Sequence, residues 1–402
     1  MTSSRPRVVV IGAGIVGSAC ALAAARAGCD VIVLERGQVA SGTTSRGEGN
    51  VLLSDKGPGP ELQLATASRR CWSQWGQQLG TDALELDAKG GLVVASEPAA
   101  LPPLRAFAAA QAAAGVQVEE VDDPQSLEPH LAPGVAGALL YPQDAQVQPV
   151  LAAAAILGAA RRLGVDYRPG VEVVGVVRGR DGSARGVTCA DGVSVAADAV
   201  VNAAGTWGGP VSTLLGAKVP VLPRKGFILV TEPAPDLVRR KVYSADYVAN
   251  VAASTEGLET SVVVESTRAG TILIGASRER VGFDTSMSPR TVALLAAQAT
   301  RLFPVLRDLQ LMRVYRGFRP YCPDHLPVIG PDPRVPGVIH ACGHEGAGIG
   351  LAPATGELVA AHLTGADPRV TLGVDPQPFL PDRFLLDGEL APVLSDSREV
   401  GA

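Results

Sequence analysis

The chain opens with a run of apolar, β-branched residues, Val8–Ile11, followed by the glycine-rich stretch Gly12–Gly17 and the alanine-rich segment Ala19–Ala27. A second apolar run, Val31–Leu34, ends in Glu35. Short apolar runs bounded by glycine or polar residues are typical of buried strands, and an alanine-rich segment of this length is typical of a helix. The pattern therefore predicts a strand–helix–strand unit at the start of the chain.

Beyond this unit, apolar residues recur either at helical spacing or in alternation with polar residues. Helices are predicted over Pro60–Leu79, Leu101–Ala114, Val150–Leu163, Pro289–Phe303 and from the glycine run Gly343–Gly350 to about His362. Strands are predicted over Leu84–Ala95, Ala138–Tyr141, Val171–Val177, Gly186–Cys189, Val193–Val195, Asp198–Ala204, Val219–Glu232, Ser261–Glu265, Thr271–Gly275, Arg313–Pro320 and Val338–Ala341. The longer strands from Val219 onward predict an antiparallel sheet in a second domain.

Gly12, Gly14 and Gly17 give the spacing G-x-G-x-x-G at the first strand–helix junction. In such a unit the first glycine permits a tight turn, the second lets backbone approach a pyrophosphate, and the third lets the helix pack closely on the strand. The carboxylate of Glu35 falls where the ribose hydroxyls of a dinucleotide are held. Together these features favour dinucleotide binding over an empty unit of the same shape.

Glu35 and the loop after it narrow the choice of dinucleotide. A carboxylate at this position would face the 2′-phosphate of NADP as an unscreened like charge, so FAD or NAD is favoured. The segment Ser41–Asn50 is rich in hydroxyls and glycines. A surface loop would have the same composition, but its place directly after the Glu35 strand suits a longer cofactor, which favours FAD.

Two later glycine runs are candidate cofactor walls. The Asp198–Ala204 strand stops in Gly205–Gly209, which lies either beside the cofactor or at an ordinary strand-to-helix turn. Gly343–Gly350 opens a helix, whose free N–H groups and positive dipole end favour an anionic partner. The negatively charged pyrimidine side of reduced flavin would be such a partner.

Composition narrows the class of protein. The 402 residues, 47% hydrophobic and 19% charged, are ordinary for an α/β protein with two domains, and the net charge of −5 gives no electrostatic case for nucleic acid. Six cysteines without a C-x-x-C pair argue against a metal site. The polar segment Met1–Arg7 does not resemble a signal peptide, and the longest apolar run, around Val150–Ala160, is too short to span a membrane, which predicts a cytoplasmic protein.

Several motifs together resemble the D-amino-acid oxidase superfamily of FAD proteins, over nearly the whole chain to about Phe384. They are the Gly12–Gly17 fingerprint with Glu35, Asp144-x-x-Val147-x-Pro149, Val201–Trp207, Thr271–Gly275, Gly317–Pro320 with Pro323-Asp324, and Gly343–Gly356. The first is shared widely, whereas the last three in this order are specific. They are most similar to the branch of glycine oxidases and amino-acid dehydrogenase β-subunits.

The resemblance implies an α/β protein with a discontinuous, Rossmann-like FAD-binding domain and a second, α+β substrate domain built on a large antiparallel sheet. We assign residues 1–85, 144–218 and 321–385 to the FAD-binding domain, and residues 86–143 and 219–320 to the substrate domain. Residues 386–402 lose periodicity and are expected to form a mobile tail.

The resemblance also implies hydride transfer from an amine-bearing carbon to flavin, with Arg319 binding the substrate carboxylate; a structural arginine paired with an acid is the alternative. His344 is the second catalytic candidate, with a packing or hydrogen-bonding role as its alternative. The predicted contacts of a non-covalently bound FAD are Gly12, Ala13, Gly14, Ile15, Val16, Glu35, Arg36, Thr43, Thr44, Ser45, Gly49, Asn50, Val173, Ala204, Gly205, Trp207, Gly346, Ala347, Gly348 and Ile349.

Three departures from the family pattern favour a dehydrogenase over an oxidase. Gly317 stands where sarcosine-oxidase-like members attach flavin through a cysteine, and Cys322 is displaced from that position. Leu273 aligns with the lysine that helps those enzymes to activate oxygen. The active-site tyrosine that glycine-oxidase-like members place near Val262–Val263 is missing.

The predicted function is a FAD-dependent amino-acid or secondary-amine dehydrogenase, acting on a small or cyclic (D-)amino acid such as hydroxyproline or proline. The segment Gly47–Lys56 resembles β-subunits of D-hydroxyproline, opine and cyanide-forming dehydrogenase complexes, which implies an iron–sulfur or second flavin subunit as electron acceptor. One alternative is a self-sufficient oxidase of glycine, sarcosine or a D-amino acid that releases hydrogen peroxide. Another is a non-enzymatic, dinucleotide-binding scaffold subunit, against which Arg319 argues.

Overall fold

The computed structural model describes residues 5–246, 255–386 and 389–390. Its α-helices in these ranges are α1 (Ile15–Arg26), α2 (Pro60–Leu79), α3 (Thr81–Leu84), α4 (Leu101–Ala113), α5 (Pro124–Leu127), α6 (Pro149–Arg162), α7 (Gly208–Leu214), α8 (Pro289–Leu302), α9 (Gly348–Thr364) and α10 (Pro368–Thr371). Its strands are β1 (Arg7–Ile11), β2 (Asp30–Glu35), β3 (Asn50–Val51), β4 (Gly91–Ala95), β5 (Glu119–Val121), β6 (Gly137–Tyr141), β7 (Ala145–Gln146), β8 (Asp166–Pro169), β9 (Val173–Arg178), β10 (Ala184–Cys189), β11 (Ser194–Ala196), β12 (Ala199–Asn202), β13 (Leu222–Pro233), β14 (Lys241–Ser244), β15 (Glu259–Ser266), β16 (Thr271–Arg278), β17 (Leu311–Tyr321), β18 (Val328–Pro331), β19 (Val338–Cys342), β20 (Leu385–Leu386) and β21 (Glu389–Leu390).

A six-stranded sheet contains the predicted strand–helix–strand unit. Its order is β18-β19-β12-β1-β2-β8, and its neighbours pair in parallel except β18 with β19. On one face Val8 and Val10 pack in the cluster that holds α1 and α9, and on the other Val9 and Ile11 pack against the sheet β11-β10-β9. Burial on both faces explains why these strands are almost continuously apolar.

The second large sheet has the order β17-β13-β16-β15-β14-β4-β6-β5. Its neighbours are antiparallel except β14 and β4, which pair in parallel with Val242 opposite Leu92. The sheet was predicted to be antiparallel, and the structure shows one parallel pair in it. The reason is that two separate chain segments form this sheet jointly, so β4 and β14 are not joined by a hairpin, which would force them to be antiparallel.

The predicted elements agree with the observed ones to within a few residues, with one exception. The strand predicted over Leu84–Ala95 begins only at Gly91, because Thr81–Leu84 form the short helix α3. That helix ends at Glu85 in a left-handed conformation, with φ of 44°. The period-two pattern before Gly91 was therefore misleading, since the backbone turns there.

Several other expectations concern the ends and the composition of the chain. Leu385–Leu386 and Glu389–Leu390 pair as two short strands, and the rest of the predicted tail lies outside the described residues. Of the helices that the structure describes, none combines the length and the apolar character needed to cross a membrane. All six cysteines are buried and unpaired. The division of the chain into two domains stays a prediction.

Candidate active site

A cavity of about 390 Å³ lies between the two large sheets. The residues at the carboxyl ends of β1, β2 and β12 line one side, and residues of β13 and β17 line another. The crevice at the carboxyl ends of parallel strands is where open α/β sheets bind their ligands. We therefore take this cavity as the candidate active site.

The glycine-rich turn after β1 has the conformation that its spacing predicts. Gly12 has a φ of 105°, and a Cβ on it would lie 2.6 Å from the Ala203 carbonyl oxygen. A Cβ on Gly17 would lie 2.0 Å from the Gly12 carbonyl oxygen, so only glycine lets α1 start this close to the strand. The N-cap residue Gly14 supplies no side-chain cap, and both it and Val16 line the cavity. The start of α1 thus suits an anionic group.

Glu35 lies in the cavity wall at the end of β2. Its Oε2 accepts a hydrogen bond from the Ala13 N–H at 2.8 Å, and its Oε1 accepts one from the Gly37 N–H at 2.7 Å. A carboxylate has about four acceptor sites, so two remain for hydroxyl groups. The backbone therefore holds this carboxylate in place without using its whole capacity.

Next to Glu35, a cationic and aromatic wall is formed by Arg36 and Trp207. The Arg36 guanidinium carbon lies 4.1 Å from the centroid of the Trp207 ring, a cation–π distance. Glu172 Oε1 lies 3.8 Å from Arg36 Nη1. On the far side of the wall, Trp207 stacks on Phe283, with 5.6 Å between ring centroids. These contacts hold Trp207, which lies within the glycine run that follows β12.

Threonine side chains attach the hydroxyl-rich loop to β17. The hydroxyls of Thr43 and Thr206 lie 2.9 Å and 2.6 Å from the Phe318 carbonyl oxygen and 2.9 Å from each other. Thr44 Oγ1 accepts a hydrogen bond from the Ile15 N–H at 3.0 Å. The loop after β2, the glycine run after β12 and β17 are thereby brought together around one cavity.

Arg319 lies on β17 and lines the cavity. Its Nη1 donates to the Ser277 carbonyl oxygen at 2.8 Å. A Cβ on Gly226 of the neighbouring strand would lie 2.3 Å from Nη1, so the guanidinium needs glycine beneath it. A guanidinium presents five N–H donors in a planar fork whose geometry matches a carboxylate.

His344 is buried in the same cavity wall. Its Nε2 lies 3.0 Å from Thr355 Oγ1, and that hydroxyl donates its proton to the Leu351 carbonyl oxygen at 2.9 Å. Nε2 must therefore be the donor in the bond to Thr355. Burial lowers the pKa of His344 to about 3, so the ring is neutral near pH 7. The geometry favours the hydrogen-bonding role for His344 over proton transfer.

Most of the predicted contacts line the cavity. They are Gly12, Gly14, Ile15, Val16, Glu35, Arg36, Thr43, Thr44, Asn50, Val173, Ala204, Gly205, Trp207, Gly346, Gly348 and Ile349, together with Arg319 and His344.

Four predicted contacts are not among the residues that line the cavity. The Ala13 N–H holds Glu35, and Ser45 Oγ donates to the Gly42 carbonyl oxygen at 3.3 Å. A Cβ on Gly49 would lie 1.7 Å from the Val147 carbonyl oxygen, so Gly49 is packed against backbone. Ala347 is the N-cap residue of α9. Sequence neighbours of a lining residue need not share its orientation, which explains these four differences.

Glu48 is the most important lining residue that the sequence reasoning missed. It is a buried carboxylate in the cavity wall, between Gly47 and Gly49. An acidic residue in a glycine-rich loop is ordinarily exposed to solvent, so the residue type alone does not indicate that Glu48 is buried in the cavity wall. The sequence feature that could have indicated this role is the position of Glu48 in the loop that follows the dinucleotide fingerprint.

Among the described residues, neither a metal centre nor a thiol is part of this site. They contain no group of histidine, cysteine and acidic side chains that could hold a metal ion, and no cysteine among them lines the cavity. Cys322 packs in a separate apolar cluster with Val219 and Val328. Its burial raises the pKa of the thiol far above the ordinary value.

Comparison with known proteins agrees with the fold. The family model described as DAO, FAD dependent oxidoreductase, matches residues 7–362. Hydrogen cyanide synthase subunit HcnC of Pseudomonas aeruginosa is 36% identical over 260 residues, which cover 64% of this chain and 57% of that relative. Glycine oxidase of Pseudomonas putida is 31% identical over 385 residues, which cover 94% of this chain and 98% of that relative.

Among solved structures, glycine oxidase from Geobacillus kaustophilus has a TM-score of 0.83 and 26% identity, covering 95% of this chain and 100% of its own. L-Proline dehydrogenase from P. horikoshii has a TM-score of 0.82 and 24% identity, covering 96% and 99%, and shares the fold. The chain spans 57% of HcnC and 52% of the bifunctional protein ThiO/ThiG of Nostoc, about half of each. Because the family model covers most of the sequence, the chain belongs to the DAO family of FAD-dependent oxidoreductases, as its motifs predicted.

Proposed function

We propose that this enzyme oxidises the C–N bond of a small or cyclic amino acid, such as hydroxyproline or proline, and passes the electrons to a partner. The observation that carries the proposal is Arg319, whose guanidinium lies in the wall of the cavity that also contains Glu35 and the glycine turn. A substrate carboxylate would be bound by the guanidinium fork. The likeness to glycine oxidase over 94% of this chain supports an amino-acid substrate.

The residues of the cavity fit FAD. Glu35 would hold the adenosine ribose, and Gly14 with Val16 at the start of α1 would receive the pyrophosphate. Helix α9 begins at Gly348, and its N-cap residue supplies no side-chain cap. Its first N–H groups would then meet negative charge on the flavin ring. When bound, FAD supplies the two-electron oxidation.

The chain's own contribution is to orient the substrate and to shield it from water. Arg319 would fix the carboxylate and thereby the position of the amine-bearing carbon. The apolar residue Ile228 lines the cavity on the same face of the sheet. In such a setting an ion pair is stronger than in water. His344 would hold the turn before α9 through Thr355 without exchanging a proton.

Two observations favour electron transfer to a partner over direct use of oxygen. Leu273, at the position of the oxygen-activating lysine, is an apolar residue of β16 and is not part of the cavity lining. The relative HcnC is named as a subunit of hydrogen cyanide synthase, which supports a partner chain for this enzyme as well. We propose an iron–sulfur or second flavin subunit in this role, and a cytoplasmic location for the complex.

The test is anaerobic reduction of the flavin by a panel containing glycine, sarcosine, alanine, proline and hydroxyproline in both enantiomers where they exist. We expect one or more of these compounds to bleach the flavin absorbance. Repeated in air, turnover with an artificial dye should exceed peroxide formation several-fold. Peroxide formed at the rate of dye reduction would instead establish the second candidate, an oxidase, for which the likeness to glycine oxidase is the supporting observation.

FAD is expected to be bound without a covalent link. A Cβ on Gly317 would lie 2.5 Å from Arg46 Cβ, so the loop fills the place from which a side chain would project. Cys322 is buried away from the cavity. Precipitation with acid should therefore release the yellow colour into the supernatant. Colour that remains in the pellet after washing would contradict this prediction.

A further inference from the structure

Glu48 is a buried carboxylate whose hydrogen bonding is incomplete. Its Oε2 accepts a hydrogen bond from Asn50 Nδ2 at 3.2 Å and lies 3.5 Å from Lys241 Nζ. Its Oε1 has no hydrogen-bond partner among the residues that the structure describes. Burying a carboxylate oxygen without a donor is unfavourable, so such an oxygen is a candidate for contact with a ligand.

The Lys241 ammonium group that compensates the charge of Glu48 is shared with a second carboxylate. Lys241 Nζ lies 2.6 Å from Glu265 Oε2, closer than it lies to Glu48, so one ammonium group serves two carboxylates. The other groups facing Glu48 are Arg319 and Tyr315, both on β17. Burial raises the pKa of Glu48, Lys241 and Arg319 oppose the rise, and Glu265 reinforces it. Burial is the largest of these effects, so a hydrogen-bond donor or a proton at the unpaired oxygen Oε1 would lower the cost of burying this carboxylate.

Glu48 and Arg319 lie over the same face of the second sheet. A Cβ on Gly275 would lie 2.4 Å from Glu48 Oε1 and 3.0 Å from Ile228 Cδ1, so Oε1 sits over Gly275 beside Ile228. Arg319 Nη1 sits over Gly226, two residues from Ile228 on β13. Residues two apart on a strand share a face and are about 6.6 Å apart. The Glu48 carboxylate and the Arg319 guanidinium are therefore neighbours on this face of the sheet, each above a glycine.

We propose that Glu48 receives the nitrogen of the substrate and removes its proton, while Arg319 holds the carboxylate. This inference rests on the proposed function and deepens it. An amino acid is a zwitterion near pH 7, and its two charged ends match this pair of groups in sign. The orphaned oxygen Oε1 would accept the hydrogen bond from the ammonium group, which completes its partners.

The proton balance of the step is simple. The ammonium N–H bond breaks and its proton binds Glu48 Oε1, which leaves a neutral amine on the substrate and a neutral carboxylic acid on the enzyme. The nitrogen lone pair would then be available to form the C=N bond of a protonated imine, and FAD, the oxidant of the family, would supply the capacity to take up the hydride with its two electrons. Hydride loss itself needs no base, but a nitrogen that is still protonated has no lone pair to give.

The test compares wild type with Glu48→Gln in anaerobic rapid mixing, using the amino acid of the panel that reduces wild type fastest. Glutamine keeps the size of the side chain and leaves the pair Lys241–Glu265 intact. Flavin reduction at pH 7 should fall about 10²- to 10⁴-fold, the usual contribution of a positioned base. The wild-type rate should rise with pH as Glu48 loses its proton. In the variant, the rise of the rate with pH should occur at higher pH, where the ammonium group of the free amino acid loses its proton without help from the enzyme.

Two further measurements separate this role from a structural one. Binding of cyclopentanecarboxylate, a carboxylate without nitrogen, followed by the change in flavin absorbance, should differ less than twofold between wild type and variant. The matched control is Glu128→Gln, because Glu128 is also buried but does not line the cavity, and it accepts hydrogen bonds from the Arg239 and Arg240 N–H groups. Its reduction rate and pH profile should match those of wild type. The FAD content and Tm of each variant establish that it is folded.

The outcomes distinguish the failure of this inference from that of the proposed function. If no amino acid or secondary amine reduces wild type, the proposed function fails and the role of Glu48 fails with it. If wild type is reduced but Glu48→Gln reacts at the same rate with the same pH profile, only the role of Glu48 is overturned. A Glu48→Gln variant that has lost its FAD or fold would be replaced by Glu48→Asp, which should keep the low-pH limb with a slower rate. An Asp variant with an unshifted rate would overturn the inference too.

Discussion

Arg319→Met is expected to lower kcat/KM for the amino-acid substrate by roughly two to four orders of magnitude. A bidentate ion pair shielded from water contributes about 3–5 kcal/mol, judging from the cost of breaking buried charge pairs. Each 1.4 kcal/mol is a factor of ten, which gives this range. FAD binding should persist, because the residues that would hold the adenosine ribose and pyrophosphate lie on β2 and α1. Steady-state kinetics with the artificial dye is the measurement.

The discriminating control is an amine without a carboxylate, such as pyrrolidine in place of proline. Wild type should oxidise it poorly, and Arg319→Met should change that rate by less than threefold. Arg319→Lys should recover only part of the lost activity on the amino acid, because a point charge cannot reproduce the fork. Equal losses on both substrates would show that Arg319 is structural.

Arg316→Met offers a matched control variant on the same strand. Arg316 is half-buried like Arg319, but it does not line the cavity. Three residues away on a strand, its side chain leaves from the opposite face. The loss of an arginine from β17 should therefore leave kcat/KM within about threefold of wild type. A loss as large as that of Arg319→Met would indicate damage to the strand.

The features that the sequence predicted best are local ones. The turn at Gly12 and the close packing at Gly17 depend on atoms within a few residues, and the spacing of the glycines encodes them directly. The bounds of α2 follow from its apolar periodicity, and the predicted helix ends at the observed residue, Leu79. Arg319 was found through the resemblance of its motif, and the structure then places it in the cavity.

The features that the sequence did not reveal depend on distant partners. The charged environment of Glu48 is formed by Lys241 and Glu265, which belong to strands far along the chain. The parallel pairing of β4 with β14 is likewise decided by how two chain segments meet. No local pattern carries such information, since the same residues in a solvated loop or in an edge strand would look identical.

Glu35→Ala is expected to weaken FAD binding by about 2–4 kcal/mol, or roughly 30- to 1,000-fold in Kd. Two charge-assisted hydrogen bonds to the adenosine ribose would contribute roughly 1.5–3 kcal/mol each, and water would replace part of this contribution in the variant. Titration of the apoprotein with FAD, followed by quenching of flavin fluorescence, gives the Kd. A variant that keeps its full FAD content on dilution would contradict the assignment.

Glu35 also has a structural role, which must be distinguished from binding of the ribose. Its carboxylate also fixes the Ala13 and Gly37 N–H groups, so alanine at position 35 could loosen the turn itself. FMN resolves the two effects, because it contains the flavin and one phosphate but no adenosine ribose. If Glu35 binds the ribose, the variant should lose affinity for FAD while its weaker affinity for FMN changes less than threefold. If the turn has loosened, both affinities should fall together, and the Tm of the apoprotein should fall with them. Only the first result assigns the ribose to Glu35.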